Sequence, residues 1–389
     1  MIKIGFLINV SNAWIGGVNY YRNLLYALNK INDKNIEVYL FVPKDIDQKL
    51  KTELGIYSKV IEVNFLSKYS LKRIIWKISE RVTRSDFMVE LYLRNYKIDV
   101  FSHSGIVGLN KAKTINWIPD FQHKHLPSFF QDKDNLLRDK AHQKLAKKSD
   151  CVILSSYDAL KDFNIFFKKY SSKTKILQFV SQPGEFNDNG SSDFNELKNK
   201  YKIEDDFFVI PNHFWKHKNH MVVFEALVIL RKRGLSVNLI CTGLLEDYRD
   251  PGYSERVQLF IQNNRINVKL LGIIKYQDLV ILMKNSISVI NPSLFEGWST
   301  TVEECKSLGK NIILSNISIH KEQNPENSVY FDPNDPDALA DIMHFHIENK
   351  EKVMSLYDSF NFNKNLEART IAFGKEFQSI IKEVYLESK

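Results

Sequence analysis

The chain has 389 residues, of which 44% are hydrophobic and 26% charged, with a formal net charge of +8 at pH 7. That length suits two domains rather than one core, and the positive balance suits an anionic partner: a phosphate ligand, a lipid surface or a nucleic acid. No run of about 20 apolar residues, no basic lead into a long apolar core, and only three scattered cysteines (Cys151, Cys241, Cys305) argue against a membrane-spanning helix, a signal peptide and a disulfide framework, so a cytoplasmic protein is expected.

Short apolar runs rich in β-branched and aromatic residues alternate with helix-length amphipathic segments. In chain order, 2–9, 36–42, 114–118 and 151–155 predict strands in the first half. The runs 207–211, 237–243, 268–272, 287–292, 311–315 and 329–332 predict strands in the second. Nearly continuous in apolar residues, they read as parallel strands buried on both faces. Helical patterns fill 18–30, 137–148, 219–233, 276–285, 301–308 and 336–349, and a last helix covers 366–387. The alternation breaks at 181–206, which is polar and rich in Asn, Asp, Gly and Ser. The expected architecture is α/β, with two doubly wound parallel-sheet, Rossmann-like domains facing a central cleft. The N-terminal domain covers 1–185, a linker 186–206, and the C-terminal domain 207–365; the segment 366–389 is expected to pack back toward the N-terminal domain. Ligands of such sheets bind beyond the carboxyl ends of the strands, so the informative residues should follow strands.

After the first strand, Gly16 and Gly17 directly precede a helical pattern starting near Val18. Glycines there let a backbone approach a phosphate, and the helix start supplies free N–H groups; a plain tight turn is the alternative. The G-x-G-x-x-G spacing is absent, which disfavours a nicotinamide cofactor. Beyond Ile118, Asp120, His123 and His125 follow in quick succession. A carboxylate and imidazoles at a strand end can act as acid, base or partner of a sugar hydroxyl, although loop histidines are often merely solvated. In "PNHFWKHKNHMVVFEAL", 211–227, Lys216 and Lys218 sit just before a helix with Asn219 as its N-cap, a placement that suits a diphosphate. His213, His217 and His220 have the spacing of a metal-binding helix face, but Pro211 and the cap put the first two in a loop, and no metal is assigned.

The stretch "NPSLFEGWSTTVEECKSLGKNIIL", 291–314, sets Glu296 and Glu304 around small hydroxyl residues. Thr300 to Glu303 matches a capping box, with Thr300 as N-cap and Glu303 tied to the helix start, and Gly309 ends the helix. Glu304 is then free to meet a ligand, and Glu296 lies on the preceding loop. N–H groups around Gly297, Trp298, Ser299, Thr300 and Thr301 are expected to face an incoming phosphate. Carboxylates beside an anion cradle make chemical sense as acceptors for the hydroxyls of a polyol that carries its own phosphates.

"PSLFEG", with Glu296 and Glu304, resembles the E-x7-E motif of the family 4, or group 1, retaining glycosyltransferases of the GT-B superfamily. "FWKHKNH", "LLGII", "QDLVILMKNS" and "FDPNDPDALADIM" continue in that family's order, so the resemblance covers 207–345; it is weaker over "GFLIN", "WIPDFQH" and "VILSSYDALKDF". The resemblance implies that Glu296 accepts hydroxyls of the donor sugar, Glu304 binds the ribose, and Lys218 holds the diphosphate with amides near Ser299 and Thr300. It implies that Gly16 and Gly17 line the phosphate or acceptor side, that the segment near Ile274 contacts the base, and that Glu296, Asp120 and Lys218 form the catalytic set, with His123 on the acceptor side. The implied reaction moves a hexose-type sugar from a UDP- or GDP-sugar to a glycan or lipid-linked acceptor in bacterial surface polysaccharide or lipopolysaccharide assembly. Configuration is retained, the leaving phosphate helps to deprotonate the acceptor, and neither metal nor further cofactor is needed. The chain departs from the common pattern at three places. His213 stands near the usual phosphate-binding arginine, with Lys216 as a substitute cation; "GWSTT" replaces "GFGLP"; and Pro119 stands where a histidine often precedes the aspartate.

Two D-x-D triplets, the signature of metal-dependent sugar transfer, occur: "DKD" (132–134) in a polar loop, and "DPD" (335–337) at a helix start with Asp335 as N-cap. Neither is assigned to metal. The segment 66–84, "LSKYSLKRIIWKISERVTR", carries Lys68, Lys72, Arg73, Lys77, Arg81 and Arg84 against Glu80, with Leu71, Ile74, Ile75, Trp76, Ile78 and Val82 on an apolar side. Such a helix can lie on an anionic membrane surface, giving a peripheral protein at the inner face of the plasma membrane, or can be a domain surface helix with basic outer residues. Nucleic acid is disfavoured, because no recognition module appears. Two other functional readings stand beside glycosyl transfer: a non-catalytic nucleotide-sugar-binding partner in a glycan-assembly complex, and a nucleotide-sugar epimerase on the same architecture.

Overall fold

The structure, a computed structural model, describes residues 1–8, 15–67, 70–83, 86, 89–91, 94–109, 111–183, 193–204, 206–247, 249–355 and 359–387. Val10 to Trp14 of the first loop, Lys68 and Arg84 of the basic segment, and 184–192 of the polar stretch lie outside the described residues. The chain forms two compact units. The first comprises Met1–Phe121, Leu136–Val180 and Glu367–Lys389; the second comprises Gln122–Asn135 and Ser181–Leu366. Residues 122–135 thus group with the second unit rather than with the N-terminal stretch that contains them.

The first unit holds a parallel sheet in the order β3-β2-β1-β4-β5-β6-β7. Its strands are β1 (Ile2–Leu7), β2 (Ile36–Pro43), β3 (Lys59–Val63), β4 (Val100–Ser102), β5 (Lys113–Ile118), β6 (Cys151–Leu154) and β7 (Thr174–Ile176). The sequence did not announce β3, β4 or β7, for physical reasons. Strands β3 and β7 are edges, and an edge strand can keep an exposed Lys59 and Glu62 among its apolar residues; β4 and β7 are only three residues long. The first helix begins at Ile15, so Gly16 and Gly17 lie in its first turn instead of in a loop ahead of it. Among the described residues, a side chain at Gly16 would meet no atom within 4 Å. The last helix, Ser359–Leu386, contributes its portion from Glu367 onward to this unit. Gly374 lets it approach the first helix, since a Cβ there would stand 2.6 Å from the Ala27 carbonyl oxygen. The Phe377 ring packs, tilted, 6.1 Å from that of Phe6, and Lys382 pairs with Asp33 at 2.8 Å.

The second unit holds a parallel sheet in the order β10-β9-β8-β11-β12-β13. Its strands are β8 (Phe207–Ile210), β9 (Asn238–Cys241), β10 (Val268–Leu270), β11 (Val289–Asn291), β12 (Ile312–Ser315) and β13 (Ser328–Phe331). Alternate strand residues serve opposite faces, which is why the runs are apolar without a break. Phe208, Ile210, Leu239, Ile290 and Ile313 pack on one side with Phe224, Leu227 and Leu339 of the helices His220–Lys232 and Pro336–Glu348. Phe207, Val209, Ile240, Val289 and Ile312 pack on the other with Met283, Val302 and Leu308 of the helices Tyr276–Asn285 and Thr300–Leu308.

Three local expectations change. The linker is partly folded: Phe194–Tyr201 is a helix capped by Asp193, with Leu197 buried. The triplet 132–134 is no loop but the first turn of the helix Asp132–Lys148, where carboxylates offset the positive end of the helix dipole. The cap of Thr300–Leu308 is one residue early, at Ser299, whose hydroxyl accepts from Val302 N–H at 3.4 Å. Gly309 (φ 62°) closes that helix in the left-handed conformation, as its position foretold, and Asp335 caps Pro336–Glu348 by accepting from Ala338 N–H at 2.9 Å. All three cysteines are buried and free.

Candidate functional site

In the second sheet the chain order reverses between β8 and β11, so their carboxyl ends flank the point where a doubly wound sheet opens for ligands. The loop after β8 carries Lys218 and the loop after β11 carries Glu296; their side chains meet at 2.6 Å, with 14% and 9% of their surface exposed. The Ser293 hydroxyl donates to the same glutamate oxygen at 2.6 Å. Leu294 N–H donates to the His217 carbonyl at 2.8 Å, joining the two loops through their backbones. Below them lies a buried amide network. Asn212 Nδ2 donates to Asn291 Oδ1 (3.2 Å), Asn291 Nδ2 to Ser299 Oγ (2.8 Å), and Thr301 Oγ1 to Asn212 Oδ1 (3.1 Å). Buried polar groups of this kind must all be satisfied, and once satisfied they fix one geometry.

The network alters two expectations. Ser299 N–H is not open to a phosphate: it donates to Gln323 Oε1 at 3.0 Å, and Gln323 Nε2 donates back to the Ser299 carbonyl at 3.0 Å. Gln323 also donates to Glu303 at 3.1 Å, so Glu303 is structural through this side chain and not through a capping box. The first-turn amides of Thr300 and Thr301 remain those that a helix start leaves without intrahelical partners.

Glu304 is buried on the helix Thr300–Leu308 and accepts from the Tyr276 hydroxyl at 2.7 Å. Tyr276 opens its helix two residues after Ile274, so the structure brings together the segment and the glutamate that the sequence marked separately. Burial raises the Glu304 carboxyl to about 7, and the Tyr276 bond pulls the other way. His213 Nδ1 accepts from Leu244 N–H at 2.7 Å, which leaves the proton on Nε2. Burial first, and the Lys218 charge second, hold this imidazole below its ordinary range, so the residue at the arginine position offers a neutral donor and no charge. Lys216 turns its ammonium over the Phe129 ring, 4.7 Å from the centroid, while its backbone N–H donates to Asp247 at 3.0 Å.

Residues 193–359 match the family model described as glycosyl transferases group 1. The match lies over the second unit's sheet and the Lys218–Glu296 pair. The full chain is similar to several solved structures. One is Anabaena Alr3699/HepE in complex with UDP and glucose (15% identity, 98% of this chain and 100% of that chain, TM-score 0.70). A second is sucrose-phosphate synthase from Thermosynechococcus elongatus (15% identity, 98% and 97%, TM-score 0.68). A third is the lipopolysaccharide outer core galactosyltransferase WaaB (14% identity, 98% and 98%, TM-score 0.59). These likenesses show the GT-B fold. No curated protein sequence matches the chain.

Several residues of this site were not marked by the sequence. Asn212, Asn291, Ser293 and Gln323 were passed over because polar residues after strands look like ordinary loop chemistry until the strands are paired. Asp247 and Arg249 form a buried pair at 2.8 Å; Asp247 holds the Lys216 backbone, and Arg249 lies 5.3 Å from the Trp215 ring centroid, so the pair steadies the loop that leads to Lys218. Their position after β9, at the same sheet end, was the available signal. His320 donates from Nδ1 to the Ser315 carbonyl at 2.9 Å. Burial lowers it to about 4, although the Glu296 charge acts to raise it. The loop after β8 is also held by Gly243 (φ 103°), where a Cβ would stand 2.8 Å from the backbone of Asn212 and His213. Gly243→Ala is therefore expected to cost about 1–3 kcal/mol through a forbidden backbone angle and a displaced loop. Thermal unfolding checks this, and an unchanged midpoint would refute it.

Asp120, Gly16 and Gly17 belong to the first unit. Asp120 lies 3.6 Å from Arg138. His123 is buried on the four-residue helix Gln122–His125, within the second unit, and the His125 ring lies 5.2 Å from that of Phe295, the neighbour of Glu296. At the reversal point of the first sheet, between β1 and β4, His103 holds a left-handed backbone (φ 53°). Its ring bonds the Tyr20 and Ser102 hydroxyls, each at 2.7 Å, and Tyr20 stacks on Trp117 at 4.3 Å. The sequence reading passed over this cluster because β4 was not recognised. Among the described residues no group of three His, Cys, Asp or Glu side chains is placed to hold a metal ion.

Proposed function

We propose that this chain is a family 4 retaining glycosyltransferase that moves a hexose-type sugar from a UDP- or GDP-sugar to a glycan or lipid-linked acceptor, in the assembly of bacterial surface polysaccharide or lipopolysaccharide. The observation that carries the reading is the Lys218–Glu296 pair at the reversal point of the second sheet, with Glu304 and Tyr276 beside the Ile274 segment. In the structure the cation and the carboxylate neutralise each other. A nucleotide-sugar supplies replacements for both: its diphosphate takes Lys218, and its sugar hydroxyls donate to Glu296. Glu304 accepts from the ribose, and the neutral His213 Nε2–H and the amides of Thr300 and Thr301 add donors to the phosphates. The bond from the anomeric carbon to the phosphate oxygen breaks, and the acceptor oxygen bonds to the same face. The departing phosphate oxygen takes the acceptor's proton and leaves as the nucleoside diphosphate. Asp120 and His123 are assigned to the acceptor. The likeness to HepE, crystallised with UDP and glucose, and to WaaB, a lipopolysaccharide galactosyltransferase by name, supports the donor and acceptor classes.

Thermal unfolding against UDP, GDP, ADP and CMP and the corresponding sugar nucleotides, with Mg²⁺ or with EDTA, tests the proposal. The cognate nucleotide at about 100 times its dissociation constant should add about 2.7 kcal/mol of stability. The stabilisation should be equal in EDTA. If no nucleotide or sugar nucleotide moves the midpoint, the donor site fails, and a non-catalytic role takes its place.

A further inference from the structure

We propose that Tyr276 is a positioning residue of the nucleotide site: its hydroxyl holds one oxygen of Glu304 and aims the other at the ribose. This role rests on the donor reading above, which gives Glu304 to the ribose. The Tyr276 hydroxyl donates to Glu304 Oε1 at 2.7 Å. Among the described residues no hydrogen bond reaches Oε2, although Glu304 is only 4% exposed. A buried carboxylate oxygen without a donor is costly, so its place beside the Ile274 segment points to a donor that arrives with a ligand. The two ribose hydroxyls are such donors.

The tyrosine is itself held in two ways. Its ring packs against the buried cluster that contains Val302 and Cys305, the helix neighbours of Glu304. It also opens the helix Tyr276–Asn285, whose first turn is pinned. Asp278, two residues on, is buried and accepts from Lys200 Nζ and from the Tyr201 hydroxyl, each at 2.6 Å. Both partners belong to the helix Phe194–Tyr201, which thereby fixes the turn that presents Tyr276.

A carboxyl buried this deeply favours its neutral form, and a neutral acid offers the ribose fewer acceptors and a competing O–H donor. The phenol O–H donates to the charged form and so favours it. Among the described residues no cation pairs with Glu304 to do the same. The Cys305 thiol on the same helix feels the Glu304 charge, but burial first holds it far above its ordinary value, so it stays protonated through neutral pH. Tyr276 thus supplies both the orientation and part of the ionisation that ribose binding needs.

The test compares the full wild-type chain with Tyr276→Phe, which keeps the ring and loses the hydroxyl, and follows two readouts between about pH 5 and about pH 9. The first is calorimetric affinity for UDP and for GDP. Taken as a ratio of variant to wild type, it cancels the nucleotide's own titration. The variant should bind about tenfold more weakly near pH ~6 and come within about twofold near pH ~9, since losing the phenol bond moves the Glu304 titration up by about one pH unit. The second readout needs no nucleotide. Removing the bond disfavours the charged carboxylate in the folded chain, so the variant's thermal midpoint should fall progressively below that of wild type as pH rises over the same range. A packing role alone would give offsets that do not change with pH, and that result overturns the proposal. If wild type binds neither UDP nor GDP at any pH, the donor reading fails and takes the ribose assignment with it. Nucleotide binding with a flat ratio strikes the role of Tyr276 alone.

Discussion

Glu296→Gln is expected to lower kcat by about 100-fold or more while leaving the protein folded and its nucleotide affinity undiminished. Glutamine keeps the shape and can still accept from Ser293 and Lys218, so the network beneath it, anchored on Asn291, Asn212 and Ser299, has no reason to collapse. What disappears is the negative charge that would draw donor-sugar hydroxyls. That charge also pairs with Lys218 at 2.6 Å. Removing it frees the ammonium for the diphosphate, so nucleoside diphosphate should bind as well as before or more tightly. Lys218→Met should do the reverse at the binding step: affinity falls, and the largely buried Glu296 loses its cation and keeps the Ser293 hydroxyl. Steady-state transfer assays and calorimetric titration of the nucleotide separate the two effects. A Glu296→Gln enzyme with near-native kcat, or one whose nucleotide affinity falls as far as that of Lys218→Met, would remove Glu296 from the donor sugar.

The residues that make this pair were legible because position and type agreed. Each follows a strongly apolar strand, and the strands are apolar on both faces because helices cover both faces. The supporting network was not legible, because it is long-range. Asn212 and Asn291 are 79 positions apart, and only the β8–β11 adjacency makes them neighbours. The cap shows the same limit at short range. Ser299, Thr300 and Thr301 are three consecutive hydroxyls able to cap; Gln323, 24 positions away, grips both backbone groups of Ser299 and settles the choice. Amphipathicity of 71–83 was plain in the sequence, but its direction depended on what holds Trp76, and that is Asp86 together with Phe65 from a separate turn. Short or edge strands such as β4 and β3 were missed for want of an apolar run. With β4 went His103, whose ring nitrogens are both committed to hydroxyls in the first unit.

Glu304 should set the pH dependence of both stability and nucleotide binding. Its carboxyl stands at about 7 in the folded protein against an ordinary value of 4.5, because burial disfavours the charged form. A group whose folded value is raised holds its proton more tightly in the native state. Its contribution to stability is full below about pH 4.5 and is lost as pH rises through about 7. The loss is on the order of 3 kcal/mol. Glu304→Gln cannot ionise and can keep the Tyr276 bond. It should match wild type in acid and become progressively more stable than wild type toward and above neutral pH. A midpoint difference that stays constant across that range would mean that Glu304 is not the titrating group. Ribose hydroxyls would donate to the charged carboxylate, so nucleotide binding should drive a proton off Glu304. Affinity for the cognate nucleoside diphosphate should then rise with pH up to about 7 and level off. Calorimetry in buffers of different ionisation enthalpy should register the released proton below that point. Glu304→Gln should bind more weakly and lose both the slope and the proton release. An affinity in wild type that is flat with pH would leave Glu304 buried against Tyr276 for structure alone and send the ribose elsewhere.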